Sequence, residues 1–180
     1  MKRFLRAWRY WTVFAVTLAL SLSFASCGRG RDPFAFRATP FLAEITGEVD
    51  GERVEARLYL DLTEHRTKEI YEVACIEYRA PESLSGLVVS LRSDGTLSAR
   101  LRDMQVEGDF ALLLEPYLSL LSIDKEYDSI VCGKGGNITI SFTLDNSPLT
   151  YLFHEDGNSL HITGVWASRP IDLEITLSPR

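Results

Sequence analysis

Residues 41–62 read FLAEITGEVDGERVEARLYLDL. Apolar or small side chains take every second position in Phe41–Val49 and again in Val54–Leu62, and Asp50-Gly51 separates the two runs. Such alternation is typical of β strands that bury one face, and Asp-Gly is a preferred dipeptide of tight hairpin turns. The stretch therefore predicts an antiparallel hairpin with one face on a hydrophobic core.

The same alternation recurs along the chain. Ser93-Asp94-Gly95 and Glu155–Asn158 each separate another pair of apolar runs, and each predicts a further hairpin. The remaining runs span 69–78, 138–144 and 171–177. Polar residues alternate with the apolar ones, whereas strands of parallel sheets are usually apolar on both faces. We therefore predict a mainly antiparallel sheet of about eight strands.

One segment changes to the helical period. Its apolar residues recur at spacings of three and four, which places them on one helix face: Phe110, Leu113, Leu114, Tyr117, Leu118 and Leu121. Pro116 leaves two alternatives, a helix that begins near it or a helix that kinks there. An amphipathic helix over the apolar face of a sheet is an α+β packing, which is the predicted fold class.

The N-terminus has the features of an export signal. Its start is cationic, with four basic residues: Lys2, Arg3, Arg6 and Arg9. A charge-free and mainly apolar run follows in Thr12–Ser26. This run has 15 residues, fewer than the roughly 20 that a membrane-spanning helix needs, which disfavours a permanent transmembrane segment.

The segment Phe24-Ala25-Ser26-Cys27 resembles the lipobox of bacterial lipoproteins, with Phe24 where that motif usually carries Leu. The resemblance implies cleavage before Cys27, whose thiol then accepts a diacylglyceryl group. Two acyl chains hold a protein stably on a membrane. We therefore expect a cell-membrane protein that is lipid-anchored and faces outside the cytoplasm. The alternative is cleavage followed by release, in which Cys27 is incidental.

These signals divide the chain into three parts. Residues 1–26 are the predicted lipoprotein signal peptide, and residues 27–40 are a predicted flexible tether that carries the lipid. Thirteen extended residues of this tether would reach about 40–45 Å, and Phe34 and Phe36 are expected to dock onto the domain. Residues 41–180 are predicted to form a single β-rich domain, because the chain shows no internal repeat and has a length that suits one core.

Charge restricts the partners of the mature chain. From Cys27 onward there are 15 Lys and Arg residues against 25 Asp and Glu residues, a formal charge of −10. Nonspecific nucleic-acid binding depends on a basic surface, so we expect no nucleic-acid partner. The membrane, through Cys27, and a hydrophobic small molecule or an envelope protein are the expected partners.

Two cysteines remain if Cys27 carries lipid. Cys75 and Cys132 then form an even pair in a compartment that permits disulfides. One alternative is a structural disulfide between them, and the other is two buried thiols. Sequence spacing does not distinguish these alternatives, because the distance between the two Cα atoms decides the matter.

From Phe41 to Leu177 the pattern resembles the half-barrel class of lipoprotein carriers and outer-membrane lipoprotein receptors, in which a curved antiparallel sheet wraps helices over an apolar hollow. Asp32-Pro33-Phe34, the Gly47–Gly51 hairpin and Pro81–Leu87 look like elements of small uncharacterised lipoproteins of Gram-positive clostridia. The carrier resemblance implies binding of an acyl chain or another amphiphile, with seven apolar residues as walls of the hollow: Phe41, Ile45, Leu58, Leu97, Phe142, Tyr151 and Trp166. In the alternative, these side chains are core and the helix fills the hollow.

The sequence offers little support for catalysis. It contains three histidines, His65, His154 and His161, without the spacing of a metal site, so no metal or cofactor is expected. Gly133–Gly136 precedes a predicted strand, whereas a phosphate-binding loop precedes a helix, and a turn is expected there. Two non-enzymatic hypotheses remain: a binding module for an amphiphile or envelope component, and a structural subunit of an envelope assembly.

Overall fold

The computed structural model describes residues 32–63, 69–123, 126–144 and 146–179. These ranges contain one α-helix, α1 (Ala111–Leu121), and an 11-stranded sheet. Its strands are β1 (Phe41–Val49), β2 (Glu52–Leu60), β3 (Glu72–Ala80), β4 (Leu87–Arg92), β5 (Leu97–Leu101), β6 (Met104–Glu107), β7 (Ser129–Cys132), β8 (Ile138–Leu144), β9 (Ser147–Phe153), β10 (Ser159–Trp166) and β11 (Arg169–Pro179). No helix within the described ranges is long and apolar enough to cross a membrane.

The mainly antiparallel sheet with one helix is confirmed, but the predicted count of about eight strands is wrong, because the sheet has 11. The sequence patterns missed β6 and β7, which have 4 residues each. A two-residue period does not stand out over so short a run. These strands form the two edges of the sheet and are mostly exposed, so burial imposes no alternation on them.

The strands follow the order β6-β5-β4-β3-β2-β1-β11-β10-β9-β8-β7, and every neighbouring pair is antiparallel. The first and last strands of the domain, β1 and β11, therefore join the two halves of the sheet at its centre. The described sheet is not closed into a barrel, because β6 and β7 pair only on one side. Since the strand number is odd, these two edge strands run in the same direction.

The hairpin predicted from residues 41–62 is confirmed. Val49 pairs with Glu52, and Asp50 and Gly51 between them have φ angles of 56° and 77°. Two consecutive positive φ angles are the signature of a type I′ turn, whose twist matches that of the strands it joins. Alternate residues of the hairpin then lie on the buried face, with Phe41 and Ile45 almost fully inaccessible to solvent.

Two glycines within strands have backbone angles that leave no room for a side chain. Gly47 in β1 and Gly164 in β10 flank β11, opposite Leu173 and Ile171. Their φ angles are +147° and +138°, and an added Cβ would lie 2.0 Å from the carbonyl oxygen of Asp172 at Gly47 and 2.2 Å from that of Pro148 at Gly164. Only glycine fits at these two positions.

The predicted helix is confirmed over Ala111–Leu121. It includes Pro116 instead of beginning there, so a helix that starts at the proline is wrong. Its buried side includes Leu114, Tyr117 and Leu121, which join the apolar cluster of the sheet. The helix therefore covers the buried face of the sheet, as an α+β packing requires.

Candidate functional site

The seven predicted wall residues all belong to one apolar cluster on the inner face of the sheet. Five of them are at most 2 % exposed: Phe41, Ile45, Leu58, Phe142 and Tyr151. Leu97 and Trp166 are half-buried at the margin of the same cluster. Side chains of α1 also lie in this cluster, so α1 occupies space that an empty hollow would require.

Two tyrosines of the sheet hold α1 by its backbone. The Tyr151 hydroxyl donates a hydrogen bond of 2.9 Å to the carbonyl oxygen of Leu120, and the Tyr78 hydroxyl donates one to the carbonyl oxygen of Leu113. Leu120 lies in the last turn, where carbonyl groups have no partner within the helix. Burial raises the pKa of both tyrosines well above the ordinary value, so both hydroxyls remain protonated donors.

The segment that precedes β1 packs against the other side of this cluster. Residues 35–38 form a short 3-10 helix. The Phe34 ring meets the Phe153 ring edge-on at 5.1 Å, and the Phe36 ring meets the Phe41 ring edge-on at 5.0 Å, each distance joining ring centroids. Residues 32–40 of the predicted tether are therefore packed on the domain in the structure, with both phenylalanines docked.

Arg37 connects this segment to the chain that leaves α1. Its Nη1 donates a hydrogen bond of 2.6 Å to the carbonyl oxygen of Ile123. Its guanidinium carbon lies 4.0 Å from the centroid of the Phe34 ring, within the range of a cation–π interaction. The segment is thus joined to the sheet through its phenylalanine rings and to the chain after α1 through Arg37.

A cavity of about 220 Å³ lies between this segment and the sheet. Aromatic and aliphatic side chains form most of its wall: Phe36, Phe41, Ile138, Phe153 and Leu177. Polar groups of Asp32, His154 and Asn158 also line it. Among the seven predicted wall residues only Phe41 lines this cavity.

The polar residues around the β9–β10 turn form hydrogen bonds with one another. The Ser159 hydroxyl donates a hydrogen bond of 2.6 Å to Asp156, and hydrogen bonds to Ser159 and Asn158 lower the pKa of the Asp156 carboxyl. On β10, Nε2 of His161 lies 2.7 Å from Oδ1 of Asp172. No group of three or more potential metal-ligating side chains occurs in the part of the chain that the structure describes. His65 lies outside the described residues.

The disulfide alternative for Cys75 and Cys132 is wrong. Cys75 is a free thiol, so no bond joins it to Cys132. Cys75 is on β3 and Cys132 on β7, seven strand spacings apart in the sheet order, or about 34 Å along the sheet. A disulfide needs Cα atoms within about 7 Å. Burial raises the pKa of the Cys75 thiol, to which Ser90 donates a hydrogen bond. Cys27, the predicted lipidation site, lies outside the described residues.

Sequence reasoning missed most of the cavity. Phe36, Phe153, Ile138 and Leu177 lie in three separate strands and in the segment before β1, and no single periodic pattern joins them. In the sequence, the Phe34-Ala35-Phe36 triplet beside Pro33 indicates a docked segment, because large apolar side chains are usually buried.

Comparison with known proteins supports the fold alone. No protein-family model matches the chain, and no curated protein matches it. Among solved structures, an uncharacterised conserved protein from Thermus thermophilus is similar in fold, with a TM-score of 0.50, 12 % sequence identity and coverage of 81 % of each chain. At this identity the likeness supports the sheet-and-helix architecture and carries no activity across.

Proposed function

We propose that the protein is a non-catalytic binding module, anchored outside the cytoplasm through lipid on Cys27, that holds the apolar part of a small amphiphile. The cavity of about 220 Å³ carries this proposal, because it combines apolar walls with a few polar groups, as small-molecule sites do. Its volume is below the roughly 300–1,000 Å³ of drug-sized pockets. The ligand is therefore a short acyl chain or a comparable apolar group, with its polar end near Asp32 and Asn158.

We further infer that the sheet is a half-barrel. The antiparallel order with two unpaired edges supports this inference, as do the positive φ angles within strands at Gly47 and Gly164 and the helix on the buried face. In this arrangement α1 fills the middle of the hollow. The segment 32–40 covers one end, and the cavity is the space that remains between them.

Binding is tested with the mature chain carrying Cys27→Ser, because this variant has no lipid anchor that would need detergent to stay in solution. The probes are octanoate and the neutral detergent octyl glucoside, which share an apolar chain and differ in the head group. Binding is measured by ligand-observed NMR and by native mass spectrometry. The proposal expects saturable binding of at least one probe at a single site.

Two alanines of the 3-10 helix supply a matched pair of variants. Ala35 lines the cavity and Ala38 does not, although both are exposed. Ala35→Phe should fill the cavity and weaken probe binding about tenfold, the equivalent of about 1.4 kcal/mol, whereas Ala38→Phe should leave binding unchanged. Equal binding by the two variants, or no binding by the parent protein, contradicts the proposed cavity site.

The exposed edges favour a second candidate function, a structural subunit of an envelope assembly. Met104 and Val106 on β6 are 68 % and 59 % exposed, and Ile130 and Val131 on β7 are 42 % and 59 % exposed. Natural sheet edges are usually protected by Pro, Lys or a bulge, and these two strands contain neither Pro nor Lys. An added strand from another protein would pair with such an edge.

Site-specific photocrosslinking in the native envelope tests this candidate. A photoreactive residue at Val106 should yield one dominant crosslinked protein, and the same residue at Glu48, in the central strand β1, should not. If the probe at Glu48 yields the same crosslinked protein as the probe at Val106, the edge strand is not the interface.

A further inference from the structure

The chain enters the domain at one end of the sheet, here called the entry end. Phe41 begins β1 and pairs there with Leu60 at the end of β2 and with Pro179 at the end of β11. Asp32 lines the cavity together with Ser178 and Pro179. The cavity and the N-terminal side of the described chain therefore share this end, and the Asp50-Gly51 turn lies at the opposite end of the same hairpin.

We propose that the entry end faces the membrane and lies directly on it. The inference rests on the lipid anchor at Cys27 that the proposed function includes. Five residue steps separate Cys27 from Asp32, and fully extended chain covers only about 18 Å over that length. The tether predicted over residues 27–40 would instead have allowed about 40–45 Å.

The first described residues are held in place by contacts with the domain. They cannot add length to the chain between Cys27 and the domain unless these contacts break. The amide of Ala35 donates to the carbonyl oxygen of Asp32 at 3.1 Å, and the amide of Phe34 donates to Oδ1 of Asp32 at 2.9 Å. The Phe34 and Phe36 rings are held against Phe153 and Phe41. The lipid therefore holds the entry end within the interfacial region, while the nine-residue strand β2 places the opposite end about 30 Å away.

Apolar side chains at the entry end fit contact with lipid. Leu62, two residues beyond β2, is 38 % exposed, and Ile70, two residues before β3, is 61 % exposed. Their backbone neighbours are fixed, since the Asp61 amide donates to Val73 and the Ser93 amide donates to Tyr71. Exposed apolar residues also occur on the edges and on α1, so exposure alone does not choose an orientation, and the short connection to Cys27 does.

The orientation specifies the source of the ligand. A cavity beside Asp32 and Pro179 lies at the level of lipid head groups when the entry end rests on the bilayer. The ligand class that reaches it most directly is an acyl chain of the same membrane, with no passage through water. The bilayer surface is thus both the partner of the entry end and the source of the amphiphile.

Tryptophan quenching by brominated lipid tests this orientation in the full lipidated protein. Trp166 is the only tryptophan after residue 26, so a Trp166→Phe background removes the native signal. Ile70→Trp is placed at the entry end and Glu52→Trp at the opposite end of the sheet. Each protein is reconstituted into vesicles of phosphatidylcholine and phosphatidylglycerol with brominated acyl chains. Intact mass measures the lipid on Cys27 in the same samples.

The proposal expects loss of fluorescence for Ile70→Trp and none for Glu52→Trp, relative to vesicles without bromine. Equal loss at the two positions, or loss only at Glu52→Trp, overturns the orientation. If the mass shows no lipid on Cys27, the anchor in the proposed function fails and the orientation fails with it. A lipidated protein with equal quenching overturns the orientation alone and leaves the cavity site to its own binding test.

Discussion

The hydroxyl of Tyr151, on the sheet, donates a 2.9 Å hydrogen bond to the carbonyl oxygen of Leu120, in the last turn of α1. Both residues are buried, at 0 % and 3 % exposure. The bond satisfies a helix-end carbonyl that lies away from water, and it fixes the end of α1 against the sheet.

Tyr151→Phe should lower the free energy of unfolding by about 1–3 kcal/mol, because it leaves the buried Leu120 carbonyl without this donor. Urea unfolding followed by circular dichroism measures the change. Tyr127→Phe is the control, since Tyr127 is 50 % exposed and surface substitutions usually change stability by less than about 0.5 kcal/mol. Equal changes in the two variants would show that the bond contributes nothing.

Stability should decrease in alkaline solution. Burial raises the pKa of Tyr78 and of Tyr151 above the ordinary value of 10, so the folded protein keeps protons that the unfolded chain loses. Their contribution is complete below pH 10 and is lost as the pH rises above it. Urea midpoints measured across that range check the sign. Tyr151→Phe should make the decrease shallower, and a steeper decrease would contradict the assignment.

Gly47→Ala should destabilise the protein by about 3 kcal/mol or more, since the new Cβ meets backbone that no rotamer change can move. Gly51→Ala is the matched control. Gly51 also has a positive φ angle, +77°, but nothing lies within 4 Å of its added Cβ, so only the conformational cost of about 1–2 kcal/mol applies. Thermal and urea unfolding measure the loss of stability in the two variants. A larger loss for Gly51→Ala would contradict the proposed clash of a Cβ at position 47 with the neighbouring backbone.

Cys27→Ser should move the protein from the membrane fraction to the soluble extracytoplasmic fraction, because no thiol remains to carry lipid. Cys75→Ser should stay in the membrane fraction. Fractionation and intact mass report both outcomes. Membrane retention of Cys27→Ser would reject the lipid anchor.

Local patterns predicted much of the fold. The 41–62 hairpin and the helix over Ala111–Leu121 rest on interactions between residues close in sequence, namely alternation, turn preference and an apolar helical stripe. The edge strands β6 and β7 lack such signals, because exposed edges place little constraint on side-chain type. Phe41 and Tyr151 are buried in the apolar cluster, and the sequence left open whether the space around them is hollow or filled.

The sequence by itself determined the antiparallel sheet, the single helix and the turn at Asp50-Gly51, because each depends on the period of apolar residues and on local backbone preference. Only the tertiary structure decided the rest. The pairing of β1 with β11 places the strands of the two halves of the sheet on opposite sides of this pair. Cys75 and Cys132 lie in different halves and are therefore far apart in the strand order. Packing of α1 and of residues 32–40 against the sheet decides which residues line the cavity. These outcomes depend on contacts between residues far apart in the chain, and no local pattern records them.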